Sequence, residues 1–418
     1  MFIFVHRVIN AGKSQHNEDQ ACCECVTVRK RDRKMKKHKE LQEQTKVTGQ
    51  KDLPQEENVF QFYYWGLFDG HAGSSCAIEV SQLLHLHICD QLRDLVQILP
   101  QTTAAPLSLD SSSGKIAENT QTPSLDSSVR FHLEKQVFPE SLVIGAIENA
   151  FKVMDEQVKR DRINKKIEGG CCALVAVFLM SKLYVANAGD SRAIIIRKEE
   201  TIPMSREFTP ETERQRIQFL AFLKPELLGN EFTYLEFPRR IQQKELKKRM
   251  LYRDHTMTGW AYKTIEADDM KFPLIYGEGK KARVMATIGV TRGLGDHDLK
   301  VFNSNIYIKP FLSCVPDVKV YDLKKCEHSI DDVMVMATDG LWDVLNDKQV
   351  ADIVQRVFAS QVDIPNRYNH AAQELVIQTR GILKENSWRL PNGTMASGDD
   401  ISVFVIPLAG LTSEHRHH

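Results

Sequence analysis

No stretch of this 418-residue chain approaches the roughly 18 uninterrupted apolar residues of a bilayer-spanning helix, and the opening MFIFV is apolar for only five residues before His6 and Arg7. That run is also too short for a secretory leader, so it is expected to open a first strand. Net charge is missing as well, because 55 Lys and Arg balance 55 Asp and Glu. No global field draws the chain to nucleic acid or to an anionic membrane. The nine cysteines, at 22, 23, 25, 76, 89, 171, 172, 314 and 326, are odd in number and irregular in spacing, unlike a secreted disulfide framework. Reduced thiols in a cytosolic or nuclear protein are the expectation. Cys22 and Cys25 form a lone CxxC without a second pair at zinc-finger spacing, so they read as strand residues.

What is present is ordinary globular material, 42% hydrophobic and 26% charged, enough for one large domain with insertions or for two domains. Runs rich in Val, Ile, Phe and Tyr predict strands at Phe2–Val8, Ala21–Val28, Phe60–Phe68, Cys171–Leu179, Leu183–Asn187, Ala193–Arg197, Arg283–Thr287, Val333–Thr338 and Ile401–Ile406. Helical periodicity covers 74–99, 140–158, the segment after Asn346, and 368–383. The pattern predicts an α+β protein with amphipathic helices packed on antiparallel sheets. Three segments interrupt it. Residues 29–58 are charged and read as a long hairpin loop, and 100–128, dominated by Ser, Thr, Pro, Asp and Ala, read as a disordered loop. Residues 198–281 carry enough aromatics to fold as a subdomain.

Acidic residues stand where the strand-like runs end: Asp69 in FDGHAG, Asp190 in NAGDSRA, Asp339 in ATDGLWD and Asp399 in SGDDIS, with Glu18 and Asp19 upstream. Hard divalent cations such as Mg²⁺ or Mn²⁺ take oxygen ligands, and a fold collects them by aiming carboxylates from several strand ends at one point. Any one of these aspartates, taken alone, reads more readily as a turn residue at a strand end than as a metal ligand. Together they point to a metal centre.

FDGHAG, GDSR, TRGLGD, DGLWD and GDDISV, in this order after an NED, resemble the metal-dependent protein Ser/Thr phosphatases of the protein phosphatase 2C family. LYVANAGDSRA, ETERQR and MATIGVTRGLGDHDLK look closest to its vertebrate H/J/M subgroup. The resemblance implies a single phosphatase domain over 1–410 with a short tail at 411–418, two packed antiparallel sheets flanked by helix pairs, and a two-metal cleft at one end. It implies that Asp69 bridges both ions, with the Gly70 carbonyl and Glu18 on one and Asp339 and Asp399 on the other. Asp190 and Asp343 would hold a third, weaker ion, although Asp190 also reads as a residue bonded within its own turn. Asp19 and Asp400 would have supporting places. Two Mn²⁺ or Mg²⁺ ions could then activate a bridging water for direct attack on phosphoserine or phosphothreonine. His71 would protonate the leaving oxygen.

One departure stands out: family members often carry an Arg before the first acidic pair, and here the stretch is Gly12-Lys13-Ser14-Gln15-His16-Asn17. Lys13 is the candidate phosphate ligand, as a point charge without the arginine fork, beside the alternative of a plain surface lysine. In the 198–281 flap, aromatics with Arg214, Arg216, Arg239, Arg240 and Arg253 make a candidate docking surface for phosphorylated proteins, or simply pack on the core. A metal-dependent nuclease, an inactive phosphoprotein-binding scaffold and a regulatory binding module are the competing readings. The neutral charge opposes the first, and the full acidic set opposes the other two.

Overall fold

The computed structural model describes residues 6–10, 17–30, 59–100, 104–106, 135–198, 200–360, 366–384 and 387–413. The main strands are β1 (His6–Asn10), β2 (Gln20–Arg29), β3 (Val59–His71), β4 (Gly170–Leu179), β5 (Lys182–Ala188), β6 (Arg192–Arg197), β7 (Glu200–Pro203), β8 (Asp317–Asp322), β9 (Val333–Ala337) and β10 (Ile401–Pro407). They make two antiparallel sheets, ordered β1-β10-β9-β6-β7 and β8-β5-β4-β3-β2, with the short segment Leu294–Gly295 added beside the start of β4. The principal helices are α1 (Ser75–Leu92), α2 (Pro139–Lys165), α3 (Arg214–Leu223), α4 (Asp347–Ser360) and α5 (Arg367–Arg380).

Alternate residues of the apolar strands face different cores, which is why these strands read as continuous hydrophobic runs. Between the sheets lie Trp65, Leu67, Leu174, Ala176, Ile195, Met334, Met336 and Phe404. Their neighbours Phe62, Tyr64, Phe68, Ala173, Val175 and Val177 turn outward onto Val80, Leu84 and Ile88 of α1 and Ile147, Phe151 and Met154 of α2. On the other side Ile194, Ile196, Val335, Val403 and Val405 meet Val350 and Val354 of α4 and Leu375 of α5. The result is a helix–sheet–sheet–helix sandwich, as the resemblance implied. Each fully buried Leu, Ile or Phe contributes roughly 1.5–3 kcal/mol, so three layers of such contacts hold the strand ends rigidly.

The predicted helices all form, with shifted ends. Proline at the first position and Glu140 in the first turn start α2, and a left-handed Lys166 (φ 52°) ends it. The strand predicted over Arg283–Thr287 is cut to Arg283–Val284, because Met285 and Ala286 take φ of 46° and 55° and the backbone doubles back so that Val284 N–H donates to the Ile288 carbonyl (2.9 Å). Two strands of the main sheets, β7 and β8, were not expected from the sequence, nor were short pieces such as Arg249–Tyr252 and Ala261–Thr264. Both β7 and β8 are sheet edges with alternating polar residues, so neither shows a strong apolar run.

Of the first two insertions, residues 31–58, 101–103 and 107–128 lie outside the described residues. The third has a core in which Ile217, Ala221, Leu228, Phe232 and Leu274 pack with Val290, Ile308, Phe311 and Leu312. That cluster therefore runs past residue 281. The described residues end in a helical turn at Ala409–Ser413. No helix among the described residues is long and apolar enough to cross a membrane.

Candidate active site

β3 ends in Asp69-Gly70-His71, the turn after β5 presents Asp190, and the single helical turn Asp339–Trp342 follows β9. These strand ends fall at one edge of the sandwich. Among the described residues one group of three metal-capable side chains converges, Asp69, Asp190 and Asp339, with ligand oxygens within 4.8 Å of one another. Burial pushes all three carboxyls upward, and the charges of Asp339, Asp19, Asp190 and Asp399 push Asp69 further. Mutually repelling, half-buried oxygen donors fit a hard divalent cation.

Around the trio the backbone is packed tightly. Gly70 sits on the Glu18 carbonyl, where an added Cβ would come within 2.5 Å, and Gly340 sits on the Asp400 carbonyl, where a Cβ would come within 2.0 Å. The Glu18 N–H donates to Asp400 Oδ2 (2.9 Å), and Glu18 Oε1 accepts from the Gly73 N–H (2.7 Å). Asp399 is tied back through its carbonyl, which accepts from Arg380 (2.7 Å), and it adds charge to both Asp69 and Asp339. Glu18 and Asp399 thus border the trio that the resemblance expected them to join, while Asp190, expected at an outer ion, stands inside it. Asp19 is buried, and its Oδ2 accepts from Thr338 (3.0 Å) and Ser402 (2.7 Å). Burial drives its carboxyl up to about 7 against those hydroxyls, with Asp400 and Asp399 adding to the rise.

Asp190 is held from two directions. The Cys172 thiol donates to its Oδ1 (3.2 Å), and the Asn187 amide spans the turn by donating to the carbonyls of Gly189 (3.2 Å) and Ser191 (2.9 Å). Gly189 (φ +148°) leaves the thiol room, since a Cβ there would lie 2.3 Å from that of Cys172. Arg192 of the same GDSR motif turns away to Asp347 and Glu207 and lies over Trp342. Asp343 meets Lys280 of the flap (2.5 Å), so the flap touches the acidic edge at an outer carboxylate.

His71 carries a partner that the sequence did not reveal: its Nε2 lies 2.8 Å from Oδ2 of Asp296, the last residue of TRGLGD. Burial works against the charged ring, but the bond to Asp296 and its charge outweigh it, aided by Asp190 and Glu18, and the imidazole is shifted above its ordinary value. The TRGLGD motif was the only available signal, and a motif 225 residues away names no contact. Lys13 lies outside the described residues.

The flap arginines are mostly spoken for. Arg214 donates to the carbonyls of Asp254 (2.9 Å) and Met257 (2.6 Å), Arg216 to Glu213 (2.7 Å), and Arg253 to Glu236 (2.6 and 2.7 Å), while Arg239 pairs with Glu245. They are struts of the subdomain. Arg240, stacked 4.1 Å over Phe272, has no carboxylate partner among the described residues.

Comparison with known proteins agrees with this architecture. The profile described as protein phosphatase 2C matches residues 109–248 and 265–382, more than half of the chain. Protein phosphatase 1J of Rattus norvegicus is 60% identical over 98% of this chain and 78% of its own, and protein phosphatase 1H of Xenopus tropicalis is 56% identical over 96% and 83%. The crystal structure of a serine-threonine phosphatase 2C from Toxoplasma gondii shares the fold, with a TM-score of 0.50 at 16% identity over 96% of this chain and 93% of that one. This chain belongs to the protein phosphatase 2C family, the metal-dependent protein serine/threonine phosphatases.

Proposed function

We propose that residues 1–410 act as one phosphatase domain that hydrolyses phosphoserine and phosphothreonine in proteins at a centre of two Mn²⁺ or Mg²⁺ ions. The convergence of Asp69, Asp190 and Asp339 carries this reading. Asp69, Asp339, Asp399, Glu18 and the Gly70 carbonyl would hold the pair, and Asp190 with Asp343 the third, weaker ion. Bound there, the ions supply a water made nucleophilic at neutral pH and neutralise charge on the phosphoryl group. The chain's own contribution is rigid placement of the carboxylates and a proton from His71 to the departing oxygen, which a serine or threonine alkoxide needs more than a phenolate does.

Substrate docking falls to the flap, whose groove of about 730 Å³ includes Pro238, Arg240, Trp260, Phe272 and Tyr276. Among the arginines that line this groove, Arg214, Arg239 and Arg253 are engaged within the flap, and Arg240 is the one without a carboxylate partner among the described residues, which suits it to an acidic or phosphorylated segment. A cytosolic or nuclear setting fits nine cysteines whose odd number and irregular spacing do not suit a secreted disulfide framework.

Asp339→Ala tests the centre. It should abolish hydrolysis of a phosphothreonine peptide in Mn²⁺, and EDTA should silence the native protein until Mn²⁺ is restored. Full activity in Asp339→Ala would refute the proposal, and metal-dependent cleavage of DNA or RNA would favour the nuclease reading.

A further inference from the structure

We infer that Asp296 is a positioning residue for the reaction: by holding Nε2 of His71 it makes Nδ1 the atom that hands the proton to the leaving serine or threonine oxygen. The inference rests on the general-acid reading of His71. An imidazole has two nitrogens, and the carboxylate 2.8 Å from Nε2 occupies one of them. The His71 side chain keeps 31% of its surface open, whereas that of Asp296 keeps 3%. One end of the pair is wet and the other dry.

The fold spends several features on placing this carboxylate. Asp296 adopts φ +56° after Gly295 at +86°, and its N–H donates to the Gly169 carbonyl (2.9 Å). Gly170 lies opposite His71 in the β3–β4 register, and a Cβ on it would lie 2.2 Å from Asp296 Oδ2. The slot for the carboxylate exists because that position has no side chain. From below, the Gly295 N–H donates to Asp155 Oδ1 (2.9 Å), and the same oxygen receives Lys309 (2.9 Å) and His297 (3.2 Å). Asp155 belongs to the buried face of α2, so the turn that carries Asp296 is anchored to a long helix.

A turn held in this way orients a ring; it does not touch substrate. In the step it serves, an oxygen of water bonds to phosphorus while the bond from phosphorus to the serine or threonine oxygen breaks. The leaving oxygen takes that electron pair and the Nδ1 proton, giving the alcohol and inorganic phosphate. The Nε2 proton stays on the ring, directed at Asp296.

Turnover of a phosphothreonine peptide and of p-nitrophenyl phosphate by the full chain in Mn²⁺ separates this role from a structural one, because p-nitrophenolate departs without a proton. His71→Ala should lose about 100-fold or more on the peptide and far less on the aryl phosphate. Asp296→Asn should reproduce the selective loss at roughly 10- to 100-fold and add nothing in the His71→Ala background. Equal losses on both substrates, or losses that multiply in the double variant, would overturn the inference. If His71→Ala itself spares the peptide reaction, the general-acid reading fails instead. A measurement on the native chain guards against misfolding of the variant: ¹⁵N shifts of the neutral His71 ring should place the proton on Nε2, and a proton on Nδ1 alone would defeat the proposal.

Discussion

Gly70→Ala puts one methyl group against the backbone that joins two expected ligands. The new Cβ would lie 2.5 Å from the Glu18 carbonyl oxygen and 3.2 Å from the Ala77 Cβ. Reaching an ordinary contact of 3.4 Å requires the segment just ahead of β2, which carries Glu18, to part from the end of β3 by about 0.9 Å (3.4 − 2.5). Ligand distances tolerate only about 0.2 Å, so the displacement cannot be absorbed by the centre. Overpacking should cost about 1–3 kcal/mol of stability, and Mn²⁺ affinity should fall about 10- to 100-fold. Calorimetric titration of Mn²⁺ into metal-free protein, with urea unfolding alongside, reads both. Gly145→Ala is the control, since a Cβ there meets nothing within 4 Å on α2, and it should stabilise the helix by about 0.5–1 kcal/mol. Superimposable Mn²⁺ isotherms for Gly70→Ala and the native chain would show that the close approach does not set the ligand geometry.

Asp155 supplies a pH-dependent term. Burial raises its carboxyl, but His297 and Lys309 prevail and hold it below its ordinary 3.8. A depressed carboxylate stabilises fully above the unfolded value and loses that contribution as pH falls through the folded one, so Asp155→Asn should cost about 3 kcal/mol at pH 7 and progressively less below about pH 4. A difference in guanidinium midpoint that stays constant from pH 7 to pH 3 contradicts this. On the flap, Arg253→Ala removes the two-pronged bond to Glu236 and the stack on Trp260, and should loosen the subdomain to limited proteolysis. Arg240→Ala should leave the fold within about 0.5 kcal/mol and raise KM for a phosphoprotein but not for p-nitrophenyl phosphate. An unchanged phosphoprotein KM removes Arg240 from docking.

Strand-end carboxylates were legible because Asp69 and Asp339 each follow an apolar run and precede glycine, a pattern that local chemistry explains. Helices packed on antiparallel sheets were legible too, since β4, β9 and β10 bury both faces and announce themselves as unbroken apolar runs, while the order of the layers came from the family resemblance. Edge strands β7 and β8 were not legible, because polar residues interrupt the apolar ones along them. Nor could spacing reveal that Asp296 meets His71, that Cys172 bonds Asp190, or that four flap arginines fold inward; each depends on tertiary packing between distant segments. Met285 and Ala286 lie in backbone conformations that no propensity for their residue types suggests.

The crowding of Asp69, Asp190 and Asp339 also bears on folding. These carboxylates converge only when both sheets are assembled, so a divalent cation finds its ligands in the native chain and not in the unfolded one. Occupancy then becomes a stabilising force: a cation at 100 times its dissociation constant adds about 2.7 kcal/mol, a large share of a typical domain's total. Cation supply would set the lifetime of the folded enzyme as well as its rate, so that a chain starved of metal is exposed to unfolding and proteolysis before it is merely idle.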